Sequence, residues 1–422
     1  MSRHRRPSVA VVGGGVSGLT AAFLLRQTHD LTVFEREPRL GGHAHTHEVS
    51  VGGSIASVDS GFIVLNDRTY PLLRRLFEEL SVRIRPTEMS MGIACDGCGL
   101  QYVGGRGAAG LFAQPRRVVD PTFWRLLRSV RRFQALALGH LKAEPDSLET
   151  YGEFLERHRF RRHFVAHYAL PVVSCVWSSG HRDSLDYPAA YLFAFLSHHG
   201  FLAARDAPQW FVVEGGSRSY VDQLQDRLAD VRTSSPVTTA RRASDGVVVE
   251  HGDAGRFEAD RVVIAAHADE ALALLADPSQ AERDVLGAFR YSTNATQLHR
   301  DDSVLPLRTP ARASWNFRLN SCDQHTDTVQ VSYWMNRLQH QPEQHPLVVT
   351  LNGADQVDPL SVIAEMTYTH PLFTPGSLAA QRRLGELNTD RTAYAGAYHG
   401  WGFHEDGCRS GVAAAEHFGG TW

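Results

Sequence analysis

Residues 9–18 read VAVVGGGVSG, and this stretch decides the fold. A short apolar run that ends in glycine is typical of a buried parallel strand, and the glycines that follow it fit the spacing G-x-G-x-x-G. The sequence next predicts a helix over 19–26 and a second strand over 31–34, which ends at Glu35, about 20 residues after the first glycine as this unit requires. Together these elements predict a βαβ unit that binds a dinucleotide.

The glycines and the acid have separate tasks in such a unit. The first glycine permits the tight turn, the second lets a pyrophosphate approach the backbone, and the third lets the helix pack on the strand. The phosphates lie at the helix N-terminus, where free N–H groups face the anion, and the acid accepts hydrogen bonds from the ribose hydroxyls. The cofactor-binding residues predicted from this unit are Gly13, Gly15, Ser17, Gly18, Glu35 and Arg36.

Composition limits the class of protein. The chain has 422 residues, of which 43% are hydrophobic and 21% charged, so extensive disorder is excluded, and the length predicts two or three domains. A formal net charge of -3 offers no global basic field, so we expect no nucleic-acid partner. The uncharged run 8–25 imitates a signal peptide, but its glycine spacing explains it better, and we expect a cytoplasmic protein.

The five cysteines follow no disulfide framework. Cys95 and Cys98 form a C-x-x-C pair around Asp-Gly, a strong turn signal between apolar segments, so the sequence favours a hairpin tip. A redox or metal role is the alternative. Because no second C-x-x-C completes a zinc site, we predict no bound metal.

Further motifs resemble the flavin amine oxidase and phytoene desaturase superfamily. They are RLGGH at 39–43, VDSGF at 58–62, AYAG at 393–396 and EDGCRSG at 405–411. The resemblance implies non-covalent FAD, extended between the first βαβ unit and a returning C-terminal segment. It also implies an α/β fold (α+β overall), with a Rossmann-like FAD-binding domain interleaved with a substrate domain of antiparallel sheet and helices. The FAD-binding domain would comprise 1–65, 205–275 and 390–422, and the substrate-binding domain 66–204 and 276–389.

One subfamily is more similar still. The segments HAHTH at 43–47, DSGFIVLN at 59–66, YWMNRLQ at 333–339 and GFHEDG at 402–407 resemble a bacterial group of NAD/FAD-binding, amine oxidase-like proteins. That group is similar to the domain that precedes the methyltransferase in plant cyclopropane-fatty-acid synthases. The resemblance implies a lipid substrate and a partner methyltransferase.

The resemblance also assigns cofactor contacts. Val237 would meet the adenine through its backbone, and the superfamily's acid after the C-terminal Ala-Gly is replaced by Ala397. Either Glu405 or Asp406 takes the role of that acid, or backbone N–H groups of the last helix do. The further cofactor-binding residues are Gly42, His43, Val237, Gly396, Glu405 and Asp406.

Candidate catalytic residues lie in the loop before the last helix. His404 is a candidate proton donor or acceptor because the unperturbed pKa of histidine is near neutral, and capping the last helix or bonding the flavin is the alternative. Tyr398 is the second candidate, with simple packing as its alternative. We nominate the substrate-binding residues from position and type alone, and they are Trp315, Tyr333, Trp334 and Trp401.

The alternating His43, His45 and His47 share one face if they lie on a strand. Metal binding and covalent attachment of flavin are alternatives, but packing around the flavin is favoured. The only lysine, Lys142, is far in sequence from the flavin motifs, which counts against an oxidase that holds water with a lysine.

Three functions remain open. The first is desaturation or double-bond isomerisation of a fatty-acyl chain, with hydride transfer to flavin N5. The second is amine or amino-acid oxidation, and the third is non-catalytic FAD binding beside a lipid-modifying methyltransferase. The many large aromatic residues fit an apolar ligand or simply a core, and no convincing carboxylate cluster marks an amine site. The resemblance to the domain that precedes the methyltransferase in cyclopropane-fatty-acid synthases implies the first. The basic, amphipathic segment 122–141 is either a peripheral contact with the inner face of a membrane or an ordinary half-buried helix.

Overall fold

The computed structural model describes residues 5–202, 207–323 and 329–422. Its strands are β1 (Ser8–Val12), β2 (Asp30–Phe34), β3 (Thr46–Val51), β4 (Ser54–Asp59), β5 (Leu65–Asn66), β6 (Ile84–Thr87), β7 (Met91–Cys95), β8 (Leu100–Gly104), β9 (Trp210–Val213), β10 (Val231–Arg232), β11 (Val237–Arg242), β12 (Val247–His251), β13 (Gly255–Ala259), β14 (Arg261–Ile264), β15 (Arg290–His299), β16 (Trp315–Leu319), β17 (Val331–Trp334), β18 (Val348–Leu351), β19 (Val362–Leu372) and β20 (Thr392–Tyr394).

The helices are α1 (Val16–Leu25), α2 (Pro71–Glu79), α3 (Gly107–Leu111), α4 (Pro121–Ala143), α5 (Tyr151–Arg157), α6 (Arg162–Phe164), α7 (Leu170–Trp177), α8 (His181–Asp186), α9 (Ala189–His198), α10 (Arg218–Gln225), α11 (Ala268–Leu274), α12 (Gln280–Leu286), α13 (Met335–Leu338), α14 (Pro375–Gln381) and α15 (His404–His417). A π-helix spans Val165–Ala169 between α6 and α7.

A parallel sheet with the strand order β10-β2-β1-β14-β20 forms the first layer, as the opening βαβ pattern predicts. Its central strand β1 is buried because α1 and α15 pack on one of its faces, while the three-stranded sheet β11-β12-β13 packs on the other together with α11 and α12. The strands come from the three segments assigned to the FAD-binding domain, although the domain boundaries stay a prediction. Residues 1–4 and 205–206 of those segments lie outside the described residues.

A second, largely antiparallel sheet has the order β19-β15-β18-β17-β16-β7-β8, with β16 and β7 parallel. The sequence over 328–335 and 346–352 is rich in residues that favour strands, and it forms β17 and β18, although residue 328 lies outside the described residues. The sequence predicts helices over 71–80, 122–141 and 151–162, and the first two are α2 and α4. The third, α5, is shorter than predicted and ends before Arg159, which adopts a left-handed conformation (φ 52°).

Helix α4 is half-buried. Asp120 caps its N-terminus, and Phe123, Leu126 and Phe133 are buried, while its arginines are exposed. Trp124 is 40% exposed. The ordinary half-buried helix therefore describes α4, and membrane contact through its outer face stays a prediction. No helix within the described ranges combines the length and the apolar character that a membrane crossing requires.

The last helix, α15, packs directly against α1. A Cβ atom at Gly411 would clash with the carbonyl oxygen of Ser17, and one at Gly407 would lie 2.7 Å from Val16 Cγ1. The glycines therefore let the two helices approach at backbone distance. This contact brings the N-terminus of α15 beside the N-terminus of α1.

We expect Gly411→Ala to destabilise the protein by about 1–3 kcal/mol, because the added methyl overpacks a backbone contact. The matched control is Gly139→Ala in α4, where a Cβ meets nothing within 4 Å. Replacing a solvent-facing helical glycine should stabilise by about 0.5–1 kcal/mol. Urea denaturation followed by circular dichroism measures both, and equal stabilities for the two variants would contradict the helix contact.

Candidate functional site

The glycine turn after β1 is held by backbone and carboxylate hydrogen bonds. Gly13 adopts φ +106°, a conformation that favours glycine, and its N–H donates to Phe34 O at 2.8 Å. The carboxylate of Glu35 accepts from the N–H of Gly14 at 2.7 Å and of Glu37 at 2.8 Å. Glu35 thus fixes the glycine turn, and its hydrogen bonds to the ribose hydroxyls of the cofactor stay a prediction.

Gly15 leaves open space above this turn. A Cβ atom built on Gly15 meets nothing within 4 Å, and its backbone is extended rather than left-handed. A Cβ at Gly18 would instead clash with Gly13 O, as expected where helix packs on strand. Ser17 lies between α1 and α15, where a Cβ at Gly407 would be 3.0 Å from its Oγ. We call this open space, at Gly15 and the N-terminus of α1, the cradle.

The segment after β2 crosses this cradle. The N–H of Gly41 donates to Gly14 O at 2.8 Å, and a Cβ at Gly42 would lie 3.4 Å from Gly15 Cα. At the same carboxyl end of β2, the N–H of Ser235 donates to Glu35 O at 2.8 Å, which places Val237 at the start of β11 nearby. Arg36 is exposed and pairs with Glu270 at 2.7 Å.

His43 follows the crossing and lies in a cluster of rings from β19 and the end of β14. Its Nε2 is 3.1 Å from Thr369 O, and its ring centroid lies 5.0 Å from Tyr368, 5.4 Å from His370 and 6.2 Å from His267. Burial, followed by the neighbouring imidazoles, lowers the pKa of His43 well below its usual value. The sequence analysis missed Tyr368, His370 and His267, since nothing local marks them.

The three alternating histidines do not converge on one point. The rings of His45 and His47 are 4.1 Å apart. Their nitrogens instead approach Tyr368 Oη at 3.2 Å and Ser60 Oγ at 2.9 Å, respectively. They belong to a hydrogen-bonded network beside the cradle, and the arrangement does not favour the metal-binding alternative for this run.

Both acids at the start of α15 are committed to protein groups. Glu405 accepts from the N–H of Leu73 at 2.9 Å and of Leu72 at 3.1 Å, and so caps α2. Asp406 accepts from the N–H of Phe403 at 3.0 Å and pairs with Arg409 at 2.6 Å. Of the three sequence alternatives for the missing acid at position 397, the backbone N–H groups of α15 fit the geometry best.

His404 is buried at the start of α15, and its role as a proton donor or acceptor stays a prediction. Its ring stacks on Phe62 at 3.8 Å, and burial lowers its pKa to about 3. The imidazole is therefore neutral at physiological pH, so it can accept or donate a hydrogen bond but holds no second proton to give. Its Nε2 has no hydrogen-bond partner in the protein.

Tyr398 belongs to a hydrophobic core rather than to a pocket wall. It is 1% exposed and packs at 5.1 Å from Phe289 in the cluster beneath the parallel sheet. Gly396 is required there, because a Cβ would clash with the Tyr398 ring. Burial raises the pKa of Tyr398. The packing alternative describes the contacts of this residue, and its catalytic role stays a prediction.

Three of the four predicted substrate residues lie on the second sheet, on two different faces. Trp315 and Tyr333 are cross-strand partners with centroids 5.4 Å apart, and both pack in the largest core cluster. Trp334 packs in a different cluster, with the Arg337 guanidinium 4.7 Å above its ring. Adjacent residues of a strand point to opposite faces, so Trp334 cannot line the same wall as Tyr333.

Trp401 joins the loop before α15 to the helices α7 and α9. Its ring lies 6.0 Å from Tyr191 and 5.9 Å from Phe195, and its carbonyl accepts from Trp177 Nε1 at 3.0 Å. Tyr191 Oη donates to Gly400 O at 2.7 Å. An aromatic wall therefore stands next to the loop that leads to α15.

A family match accords with this geometry. Residues 16–362 match the model for flavin containing amine oxidoreductase. The chain belongs to the family of flavin-containing amine oxidoreductases. This confirms FAD as the predicted cofactor and an FAD-dependent oxidoreductase as the predicted enzyme class, while the similarity to the plant cyclopropane-synthase domain stays a prediction.

Curated relatives match over short segments. The flavin-dependent L-tryptophan oxidase RebO of Lentzea aerocolonigenes is 44% identical over 62 residues, which is 14% of this chain and 13% of that protein. Tryptophan 2-monooxygenase of Allorhizobium ampelinum is 49% identical over 45 residues, 10% of this chain and 6% of that protein. The chain thus spans a small part of the length of these relatives.

Solved structures match over the whole chain. Cyclohexylamine oxidase from Brevibacterium oxydans has a TM-score of 0.68 at 16% identity and covers 98% of both chains. The CLA-producing fatty acid isomerase from P. acnes has a TM-score of 0.66 at 16% identity and covers 99% of this chain and 100% of that one. These likenesses confirm the fold class.

The residues present fit FAD. The open cradle at Gly15 accepts a pyrophosphate at the N-terminus of α1. The unpartnered Nε2 of His404 is a buried polar atom that the protein itself leaves unsatisfied, at the helix terminus that faces the cradle. Such atoms are rare unless a ligand or water meets them.

We expect Gly15→Leu to abolish FAD binding without unfolding the protein, because its side chain fills the cradle but meets no protein atom. Absorbance near 450 nm and bound-flavin content measure the loss, and circular dichroism checks the fold. Gly139→Leu is the matched control, since that glycine also faces open space but lies in α4. Full flavin retention by Gly15→Leu would show that the pyrophosphate lies elsewhere.

Glu405 should make the stability of the flavin-free protein depend on pH. Burial raises its pKa from 4.5 to about 7, so the folded state binds the proton more tightly than the unfolded chain. Its stabilising contribution is complete below about pH 4.5 and is lost as pH rises to about 7. Relative to Glu405→Gln, the wild type should lose about 1–3 kcal/mol between about pH 5 and pH 8.

Urea denaturation at a series of pH values measures this difference. Glu416→Gln serves as the control, because Glu416 is an exposed glutamate on the same helix. A constant difference between wild type and Glu405→Gln across this range would mean that the capping carboxylate is already ionised in the folded state.

Proposed function

We propose that the protein oxidises or isomerises a carbon–carbon bond of a hydrophobic, fatty-acyl substrate with FAD as its cofactor. The observation that carries the proposal is the commitment of its buried carboxylates. Within the described residues, each carboxylate that is buried is already hydrogen-bonded by protein groups, so no buried carboxylate is left without a partner to recognise an ammonium group. They are Glu35, Asp59, Glu282, Glu405 and Asp406.

Asp59 shows how complete this commitment is. Its carboxylate accepts from Thr46 Oγ1 at 2.6 Å, from Ser217 N–H at 2.9 Å and from Gln339 Nε2 at 2.6 Å. Glu282 is equally engaged, since it pairs with Arg242 at 2.7 Å and accepts from Tyr394 Oη at 2.6 Å. These acids organise the protein, and a cationic substrate would have to compete with fixed donors.

The imidazoles beside the cradle add no charge. Burial lowers the pKa of His370 to about 4 and of His404 to about 3, and it lowers the pKa of His43 well below its usual range. All three are neutral at physiological pH. An uncharged, partly aromatic surrounding is suited to an alkyl chain, whose binding comes from burying methylene groups at about 0.8 kcal/mol each.

FAD and the protein have separate roles in the proposed reaction. Bound FAD supplies a hydride acceptor at N5, and the protein positions the substrate and excludes water. Tyr333 and Trp401 offer apolar walls on two sides of the end of α7, where Trp177 donates to the carbonyl of Trp401. The neutral imidazole of His404 holds a hydrogen-bonding nitrogen at the start of α15.

Amine or amino-acid oxidation is the alternative that the family name favours, and the short match to an L-tryptophan oxidase points the same way. Non-catalytic FAD binding beside a methyltransferase is the third function. The only lysine, Lys142, is exposed near the end of α4 in the proposed substrate domain. This position counts against an oxidase that holds water at the flavin with a lysine.

We expect the bound flavin to be bleached anaerobically by a series of fatty acids, with a rate that rises with chain length until the pocket is filled. Matched alkylamines should bleach it slowly, and their rates should not follow the neutral fraction of the amine. Stopped-flow absorbance at about 450 nm measures both series, and mass spectrometry identifies the acyl product. If the enzyme is an isomerase, the hydride returns to the substrate and the flavin absorbance recovers. The isomerised acyl product then identifies the reaction.

Trp401→Ala and Trp124→Ala form a matched pair for this experiment. Trp401 belongs to the proposed wall, whereas Trp124 is exposed on α4. Only Trp401→Ala should weaken the dependence on chain length. Fast bleaching by short amines with no reaction of any acyl chain would establish the amine alternative instead.

A further inference from the structure

Four metal-binding side chains meet at the tip of the β7–β8 hairpin, outside every contact described for the flavin cradle. Cys95 ends β7, Cys98 follows in the turn, His167 comes from the π-helix, and Cys322 follows β16. Their ligand atoms all lie within 4.8 Å of one another. We propose that these residues form a structural zinc site with a Cys3His ligand set.

The spacing of the ligand atoms matches a tetrahedral zinc ion. Bonds of about 2.3 Å to sulfur and 2.0–2.1 Å to nitrogen place tetrahedral ligand atoms about 3.5–3.8 Å apart. The sulfurs of Cys95 and Cys322 are 3.8 Å apart, and Nε2 of His167 lies 3.4 Å from Cys98 Sγ and 3.7 Å from Cys322 Sγ. The three cysteines, Cys95, Cys98 and Cys322, are free thiols.

The imidazole is oriented as a ligand. Nδ1 of His167 lies 2.8 Å from the carbonyl oxygen of His163, and a carbonyl can only accept, so Nδ1 carries the proton. The lone pair of Nε2 therefore faces the three sulfurs. A second ring nitrogen that donates to a backbone carbonyl is the usual support for a metal-binding histidine, and His167 is fully buried.

The surrounding backbone holds the ligands in place before any ion binds. The N–H of Asp96 donates to Leu319 O at 2.8 Å, and Arg318 pairs with the Asp96 carboxylate at 2.9 Å. Tyr102 Oη donates to His167 O at 2.7 Å, which ties the π-helix to β8. Irregular π-turns occur frequently at functional sites.

Ligand chemistry and number select zinc and a structural role. Thiolates are soft ligands that favour zinc, copper(I) or iron–sulfur clusters, and four protein ligands in a tetrahedron are typical of structural zinc. A catalytic zinc keeps an open position for water, which this ligand set does not leave. The ion would join the β7–β8 hairpin, the π-helix Val165–Ala169 and the loop after β16, which are far apart in the sequence.

The test is the metal content of the full-length holoprotein, purified with a reductant and without chelators. Plasma mass spectrometry should find about one zinc per chain, and X-ray absorption at the zinc edge should find three sulfurs at about 2.3 Å and one nitrogen at about 2.0–2.1 Å. Less than about a tenth of a zinc per chain after loading with excess zinc would overturn the proposal. So would iron or copper in its place, or a Cys95–Cys322 disulfide in the freshly isolated protein.

Variants keep the test specific to the cluster. Cys98→Ala, at the exposed ligand, should weaken zinc binding by more than about 100-fold in competition with a chromophoric chelator, beyond the effect usual for an outer-shell change. Cys175→Ala is the matched control, because Cys175 is a cysteine in α7 outside the cluster. Equal zinc affinity in wild type and Cys98→Ala would overturn the assignment. His167→Ala with flavin absorbance retained separates loss of zinc from loss of fold.

Discussion

The close approach of the first and last helices governs the site. Gly407 and Gly411 allow α15 to lie against the backbone of α1 at Ser17, and no larger residue fits at Gly411 without a shift. Two helix N-termini then face one region, so their partial positive charges add where an anion is expected. Without that contact, only the N-terminus of α1 would face the phosphates expected at the glycine turn after β1.

Neutrality is the second property of the region. Buried acids such as Asp59 and Glu405 accept hydrogen bonds that hold loops and helix ends. Burial lowers the pKa of imidazoles such as that of His404, so they are neutral. Desolvation penalises each charged form, and the protein meets that cost with hydrogen bonds or avoids it by staying neutral. A reaction that needs no fixed charge suits this environment.

Local patterns predicted the local structure, and tertiary contacts decided the rest. The βαβ unit, α2, α4 and the hairpin at Cys95 follow from periodicity and turn residues. Alternation along β17 already implied that Tyr333 and Trp334 point apart, although position and type alone suggested one wall. By contrast, the low pKa of His404 and the approach of Cys322 to Cys95 arise from segments distant in sequence, which no spacing rule reports.

The parallel sheet also has a consequence for biosynthesis. Strand β20 and helix α15 come from the final stretch of the chain, yet they complete a layer that begins with β1. A nascent chain that emerges from the ribosome at about 5–20 residues per second exposes the glycine turn long before its second half arrives. The second sheet, whose last strand is β19, can pair during that interval, whereas the contact between α1 and α15 forms only after α15 has been translated.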